Sequence, residues 1–163
     1  MKTISVGHSR ESIMKEAIEL SLNNIKEGLG GPFAALIVKD HRIISRGTNL
    51  VTSANDPTAH AEMIAIRKAC SSLKTFVLEG CEIYTTCEPC PMCLGAIYWA
   101  RLDRIFYANS RVDAAQIGFD DKLIYQEIPL PNSQRKIPAI RLMEDQALIA
   151  FMEWDRKLDK TKY

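Results

Sequence analysis

The sequence predicts an α/β protein, a three-layer α/β/α sandwich around a mixed five-stranded sheet. Short apolar runs with strand character alternate along the chain with segments whose apolar residues recur every three or four positions, as on one face of a helix. The first two strands are separated only by the polar pair Asp40-His41, which predicts an antiparallel hairpin. A sheet that contains this hairpin cannot be wholly parallel.

The first part of the chain is predicted to hold one helix and the hairpin. Apolar residues recur at helical spacing over Ile13–Ile25, Ser9 is a candidate N-cap, and the Gly/Pro-rich stretch 28–32 ends the helix. The strands Phe33–Val38 and Arg42–Thr48 then form the hairpin.

Two further helices and two further strands are predicted in the middle of the chain. A polar loop over residues 52–57 leads into a helix over 59–71, and Cys81–Thr86 forms the third strand. The helix Pro91–Arg101 opens with proline, whose missing N–H would be unpaired in a first helical turn anyway. The segment Arg104–Ala108 is the fourth strand.

The C-terminal part of the sequence is less regular. Residues Asp113–Gln126 are ambiguous, Ile137–Met143 is expected to be the fifth strand, and Glu144–Leu158 has the pattern of a closing helix. Because no linker, repeat or low-complexity tract divides the chain, residues 1–163 are expected to form a single domain.

Charge and hydropathy argue against several classes of partner. The 163 residues include 21 Lys+Arg and 20 Asp+Glu, a net charge of +1 that offers no basic footprint for nucleic acid or anionic lipid. No apolar run approaches the roughly 20 residues of a membrane span, and the first residues lack the pattern of a signal peptide. We therefore expect a cytoplasmic protein without nucleic-acid or membrane partners.

A histidine and two cysteines are spaced as zinc ligands. Three of the five cysteines cluster within 87–93, which favours metal binding over a disulfide framework. His8 and His41 lie in polar segments and are expected to be solvated, whereas His60 enters a helix. Cys90 and Cys93 flank another helix start, whose positive end favours thiolates. Catalytic zinc sites use three such ligands and leave a fourth position for water.

Glu62 is the residue expected to convert metal binding into catalysis. Side chains two positions apart in a straight helix diverge by about 200°. His60 and Glu62 can therefore face one site only if the backbone is still entering the helix. A carboxylate that stands beside the water without binding the metal can take the water's proton and pass it on.

Two alternatives use overlapping residues. A closed structural zinc site would add Cys87 or Cys81 as fourth ligand and leave Glu62 solvated, which describes a zinc-stabilised binding module rather than an enzyme. A redox pair of Cys87 and Cys90 is a further alternative, although no thioredoxin-like pattern surrounds it. Cys70 and Cys81 are otherwise expected to be small, buried apolar residues.

The combination of His-x-Glu with Pro-Cys-x-x-Cys resembles the signature of the zinc-dependent nucleobase deaminases. The similarity to bacterial-type guanine deaminases of this cytidine/deoxycytidylate deaminase superfamily covers nearly the whole chain, in the segments Gly30–Phe33, Asn55–Glu62, Cys87–Arg101, Gly118–Asp121 and Lys162-Tyr163. The resemblance implies the cytidine deaminase-like fold and hydrolytic deamination of guanine to xanthine and ammonia. It also implies a homodimer in which the C-terminal segments are exchanged.

The resemblance assigns a role to each site residue. It implies that Zn²⁺ is held by His60, Cys90 and Cys93, and that Glu62 moves protons from the attacking water to the ring nitrogen and then to the leaving amine. The residues implied to bind the purine are Phe33 on the ring face, Asn49 at the polar edge, Asp121 at the N1–H and amino group, and Tyr163 from the partner subunit.

Each purine contact also has an ordinary structural interpretation. Phe33 could belong to the core, Asn49 could cap a turn, Asp121 could be solvated, and Tyr163 could be a frayed terminus. The sequence also carries Ala34 where relatives usually have glycine, and an added methyl group beside Phe33 is expected to narrow the pocket. Related deaminases that act on guanosine, cytosine, a triazine or tRNA adenosine therefore remain alternatives.

Overall fold

A mixed four-stranded sheet forms the centre of the first part of the chain. The structure, a computed structural model, describes residues 8–162, which divide into one compact unit ending at Asp121 and a second beginning at Lys122. The sheet lies in the first unit and has the strand order β2-β1-β3-β4. Its strands are β1 (Ala34–Lys39), β2 (Arg42–Thr48), β3 (Cys81–Cys87) and β4 (Arg104–Asn109).

The strand pairing confirms the mixed sheet. β1 pairs antiparallel with both β2 and β3, and β3 pairs parallel with β4. In the hairpin turn Asp40 and His41 have φ of 48° and 60°, the left-handed pair that a two-residue turn with the right twist requires. These four strands agree with the predicted ones, apart from single-residue differences at their ends.

Helices cover both faces of the sheet, which confirms the three-layer α/β/α arrangement. The helix α1 (Arg10–Lys26) covers one face, where Ile13 and Ala17 pack with Leu36 and Val38 of β1. On the opposite face, α3 (Ala61–Leu73) and α4 (Pro91–Trp99) pack onto the odd-numbered side chains of β1 and β3. The alternation of strand side chains thus separates two cores.

Several helix boundaries differ from the predicted ones. The side chain of Ser9 accepts a hydrogen bond from the N–H of Ser12, so the predicted N-cap of α1 is confirmed. The loop predicted over 52–57 includes the single-turn helix α2 (Val51–Ala54). The ambiguous stretch contains two short helices, α5 (Arg111–Gln116) and α6 (Lys122–Glu127).

The predicted fifth strand is wrong. Residues 137–143 form no regular secondary structure, and Ile137 is 82% exposed. A strand exists only through pairing with a neighbour, and Pro138 has no N–H to donate to one. The segment is rich in apolar residues, but the described residues provide no paired strand there.

The second unit is helical. After α6 it contains a 3₁₀ turn at Asn132–Gln134 and the helix α7 (Glu144–Arg156), which confirms the predicted closing helix. The side chain of Arg135 donates hydrogen bonds to the carbonyl oxygens of Ile128 and Leu130 and so stabilises the intervening loop. In the described part of the chain, every helix is too short or too polar to cross a lipid bilayer.

Gly47 of β2 allows α3 to lie directly on the sheet. A Cβ atom at this position would stand 2.1 Å from the carbonyl oxygen of Ala61 and 2.6 Å from the backbone nitrogen of Ala65. Both atoms belong to helical backbone, so the helix itself would have to move. The position of the first turn of α3, which follows His60, therefore depends on this glycine.

We expect Gly47→Ala to lower the free energy of unfolding by about 1–3 kcal/mol, because the helix must shift to admit the methyl group. The matched control is Gly95→Ala in α4, where a Cβ would meet nothing within 4 Å. The control should be neutral or raise stability by about 0.5–1 kcal/mol through helix propensity. Denaturant unfolding measures both, and a Gly47→Ala protein as stable as the wild type would contradict the close packing.

Candidate active site

Two helix N-termini carry the side chains of the site. His60 is the N-cap residue of α3 and has φ of −68° and ψ of 155°, so its backbone is extended and not yet helical. Cys90 is the N-cap residue of α4 in a similar conformation, and Cys93 lies in the first turn of that helix. Neither N-cap side chain makes a capping hydrogen bond. Both are thus available for another role.

The three predicted ligands lie together with spacings that fit zinc. Nδ1 of His60 is 3.6 Å from Sγ of Cys90 and 3.6 Å from Sγ of Cys93. Zinc–nitrogen and zinc–sulfur bonds of about 2.0 and 2.3 Å at tetrahedral angles place N and S about 3.6 Å apart. The three ligand atoms all lie within 4.8 Å of one another. The donor set and its geometry therefore fit a zinc ion.

The three ligand side chains interact through hydrogen bonds that shift their pKa values. Hydrogen bonds from Cys93 and His60 lower the pKa of Cys90 to about 4 despite its burial. The same hydrogen bond with Cys90, together with burial, raises the pKa of Cys93. The interaction with Cys90 also raises the pKa of His60. Binding of a divalent ion displaces the protons that these side chains share, so metal binding is coupled to proton release.

A closed four-ligand site is not formed by the described residues. The metal-binding group contains His60, Cys90 and Cys93 and does not include Cys81 or Cys87. Sγ of Cys87 lies 3.6 Å from the carbonyl oxygen of Ser110, and burial raises the pKa of this thiol to about 11. Three protein ligands leave a coordination position for water, the arrangement typical of catalytic zinc.

Glu62 lies beside the metal-binding group and is buried. Its residue is 6% exposed, and burial is the main reason that the pKa of its carboxyl is raised. The carboxyl interacts with the side chain of Cys93, and Oε1 lies 3.5 Å from the hydroxyl oxygen of Thr85. The extended backbone at His60 allows both side chains to face one site, as the spacing argument required. The solvated glutamate of the structural-zinc alternative does not describe this residue.

The amide of Asn49 is held through its oxygen, and its NH₂ group makes no hydrogen bond to the described residues. Its Oδ1 accepts hydrogen bonds from the backbone N–H groups of Gly31 at 3.2 Å and Val51 at 3.3 Å. Two N–H donors at the oxygen determine which end of the amide is which. Asn49 is therefore a buried donor at the end of β2, and it also orders the turn, as the structural interpretation proposed.

Phe33 stands at the start of β1 and contacts a second aromatic ring. Its ring centroid lies 4.8 Å from that of Phe119, in an edge-to-face arrangement. The strand alternation places the side chain of Ala34 with those of Leu36 and Val38, on the face covered by α1. The methyl group of Ala34 therefore lies on the face opposite α3 and α4, and the expectation that it narrows a pocket beside Phe33 or shifts the ring stays a prediction.

Asp121 and Tyr163 complete the set of predicted residues. Burial raises the pKa of Asp121, which also interacts electrostatically with Cys90 and Arg111. The structure thus brings Asp121 into the same electrostatic environment as the metal-binding group. Tyr163 lies outside the described residues.

Sequence reasoning did not assign a role to two residues that contact these side chains. Phe119 lies in the segment Gly118–Asp121 that contributes to the family resemblance, but its contact with Phe33 joins positions far apart in the sequence. Asn24 donates hydrogen bonds to the loop that carries Asn49. A polar residue on the buried face of α1 was the available signal for Asn24.

Comparison with known proteins assigns the family. The model for the cytidine and deoxycytidylate deaminase zinc-binding region matches residues 8–109, more than half of the chain. The chain belongs to this deaminase family. It is 50% identical to a guanine deaminase from Bacillus subtilis over 155 residues, which is 95% of this chain and 99% of that protein.

Solved structures of other deaminases agree with the fold. An X-ray structure of guanine deaminase from Bacillus subtilis has a TM-score of 0.93 at 49% identity, and the match covers 96% of this chain and 99% of that chain. A structure of guanine deaminase from Nitrosomonas europaea has a TM-score of 0.65 at 34% identity and covers 70% and 66% of the two chains. The α/β fold with its mixed sheet is thus the cytidine deaminase-like fold.

The same family includes deaminases of transfer RNA. The tRNA-specific adenosine deaminase of Aquifex aeolicus is 42% identical over 99 residues, which is 61% of this chain and 65% of that protein.

One related structure, a complex with 2,6-diaminopurine, has a TM-score of 0.65 at 36% identity and covers 69% of this chain and 63% of that chain.

We expect zinc to be lost when a ligand of the metal-binding group is removed. His60→Ala and Cys90→Ala should each lower the metal content well below the roughly one zinc ion per chain of a three-ligand site. Cys70→Ala is the matched control, because Cys70 is a free, partly buried cysteine outside the group. Elemental analysis of the purified proteins gives the zinc-to-protein ratio. Full zinc retention by Cys90→Ala would contradict the assignment.

Proposed function

We propose that this protein is a zinc-dependent guanine deaminase that hydrolyses guanine to xanthine and ammonia. The observation that carries the proposal is the buried carboxylate of Glu62 beside the three-ligand group of His60, Cys90 and Cys93. The match to a guanine deaminase across 95% of the chain supports guanine as the substrate.

His60, Cys90 and Cys93 would hold the zinc ion. When bound, zinc supplies Lewis acidity that lowers the pKa of a water molecule and makes it a nucleophile near neutral pH. Two helix N-termini stabilise the thiolate ligands with their positive ends. The burial of Glu62 limits the contact of its carboxylate with bulk water, whereas His60 and Cys90 are partly exposed.

Glu62 moves the protons. Its carboxylate takes a proton from the water that attacks C2 of guanine, and it delivers that proton to the ring nitrogen. A second proton, from the hydroxyl group now bonded to C2, passes through Glu62 to the exocyclic amine. The bond between C2 and that amine then breaks and ammonia leaves, so that guanine and water give xanthine and ammonia. Burial that raises the pKa of this carboxyl favours its protonated form as a general acid.

Three residues of the described chain are proposed to recognise the purine. Phe33 would stack on the ring face, and the NH₂ group of Asn49, whose oxygen is already occupied by two backbone N–H groups, would donate to an acceptor at the ring edge. Asp121 would accept from N1–H and the amino group, donors that adenine does not present at that edge. The related complex with 2,6-diaminopurine supports a purine base as the ligand.

Other substrates are less well supported. A tRNA deaminase needs cationic surface for phosphates, and the net charge of +1 does not provide it. Guanosine, cytosine and triazine remain the enzyme alternatives, while a zinc-stabilised binding module is the alternative without catalysis. The module is disfavoured because a structural site needs neither a free coordination position nor a buried Glu62.

Assembly and location also belong to the proposal. We infer that residues 1–163 act as one deaminase domain, since the match to the Bacillus subtilis enzyme runs through both compact units. A homodimer with exchanged C-terminal segments is supported by the large apolar side chains that α7 exposes, including Phe151 and Trp154. The five free cysteines support a reducing, cytoplasmic environment.

We expect the zinc-loaded protein to release ammonia from guanine and not from adenine, guanosine or cytosine. Glu62→Gln is the matched variant: it should keep its zinc and fold and lose turnover by about 10²–10⁴-fold, since the amide cannot accept the proton. A coupled ammonia assay measures each substrate. Activity on cytosine without activity on guanine would refute the substrate, and unchanged turnover in Glu62→Gln would refute the proton transfer.

Exchange of the C-terminal segments can be tested by mixing two inactive proteins. Glu62→Gln provides an intact Tyr163, and Tyr163→Ala provides an intact Glu62. If Tyr163 closes the partner's pocket, subunit exchange creates dimers with one complete site and restores about a quarter of the wild-type rate. A dimer in which each Tyr163 serves its own pocket would recover nothing. The unmixed variants are the controls.

A further inference from the structure

The side chain of Asn24 links α1 to the loop that carries Asn49. Nδ2 of Asn24 donates hydrogen bonds to the carbonyl oxygens of Gly31 at 3.0 Å and Asn49 at 2.9 Å. Because both neighbours are acceptors, only the NH₂ end of the amide can face them. Asn24 is 2% exposed, and its Oδ1 has no hydrogen-bond partner among residues 8–162.

The same two loop residues are connected to each other by the side chain of Asn49. The N–H of Gly31 donates to Oδ1 of Asn49, while the carbonyl oxygen of Gly31 accepts from Asn24. The N–H of Asn49 donates to the carbonyl oxygen of Phe33 at 3.0 Å. The backbone of Asn49 is thus held through both its N–H and its carbonyl, and its side-chain oxygen is held as well.

Close packing leaves this arrangement little freedom. A Cβ atom at Gly30 would stand 2.2 Å from the carbonyl oxygen of Asn49 and 2.7 Å from its Oδ1. The glycine loop therefore lies directly on Asn49, opposite the hydrogen bond from Asn24. If the Asn24 amide is removed, the carbonyl oxygen of Asn49 loses this donor, whereas that of Gly31 still accepts from the N–H of Phe33 at 2.8 Å. Water or loop movement must then compensate for the lost donor.

We propose that Asn24 is a positioning residue for purine binding, which acts through Asn49. Its amide holds the carbonyl groups of Gly31 and Asn49, so that the NH₂ group of Asn49 points in one direction towards the purine. The amide of Asn24 donates to both loop carbonyl groups and leaves its own Oδ1 without a partner among the described residues, which agrees with this role. The inference rests on the proposed guanine deaminase function and deepens it.

The role predicts an effect on binding that is separate from the chemistry. Asn24 contacts neither the three metal ligands nor Glu62 in any hydrogen bond that the described residues make. Its loss should therefore raise KM for guanine by about five- to tenfold, the effect of one misplaced hydrogen bond. The turnover number and the zinc content should change much less.

The test is a double-mutant cycle on zinc-loaded protein. Asn24→Leu removes the donors at similar size, and Asn24→Ser is a milder variant that leaves room for a water molecule if the first does not fold. Guanine binding by each Asn24 variant is compared with that of the protein with native Asn24, first with Asn49 present and then with Asn49→Ala. The dissociation constant for guanine is measured by calorimetry with Glu62→Gln present throughout, because that change removes turnover.

If Asn24 acts through Asn49, its substitution weakens guanine binding five- to tenfold alone and adds nothing once Asn49 is alanine. Equal weakening in both backgrounds would overturn the proposal and indicate a general structural role, and unchanged binding in the first background would overturn it too. Ser21→Ala is the matched control, since Ser21 is buried on the same face of α1 and bonds only to its own helix. Failure of the otherwise wild-type protein to deaminate guanine would instead refute the proposed function.

Discussion

The site depends on two helix N-termini that meet with metal ligands at their N-cap positions. His60 and Cys90 occupy places where serine, threonine, aspartate or asparagine would stabilise a helix by about 1 kcal/mol each. Neither side chain makes a capping hydrogen bond, so packing on the sheet and metal binding must stabilise the first turns of these helices. The geometry also leaves both positive helix ends directed at the thiolates, where they lower the free energy of the charged ligands.

The sheet determines how closely the two helices approach. β3 leads directly into the segment that contains Cys90, and α3 reaches the same region because Gly47 lets it rest on β2 without a side chain between them. The N-terminal turn of α3 then carries His60 and Glu62 on one side, through the extended backbone at the cap. The proposed metal ligand and the proposed proton carrier are in this way held by the same backbone segment, which lowers the conformational entropy lost in aligning them.

Helix α1 illustrates where periodicity misleads. Apolar residues at helical spacing extend to Ile25, yet Ile18, Leu22 and Ile25 are largely exposed, while the polar Asn24 is buried. A hydrogen bond to two loop carbonyls, which no spacing rule contains, decides the burial of Asn24. The absent fifth strand at 137–143 has a related cause. An apolar sequence allows a segment to pair as a strand, but the strand forms only where a neighbouring strand is available.

The sequence by itself determined the four paired strands and the main helices, and it predicted the group of His60, Cys90 and Cys93 that the structure brings together. Local patterns suffice for these, because ligand chemistry and helix entry are encoded in residues a few positions apart. Only the tertiary structure decided the 3.6 Å ligand spacings, the contact of Phe33 with Phe119 and the fixed orientation of Asn49. Each of these joins residues far apart in the chain, where distance in sequence carries no information about distance in space.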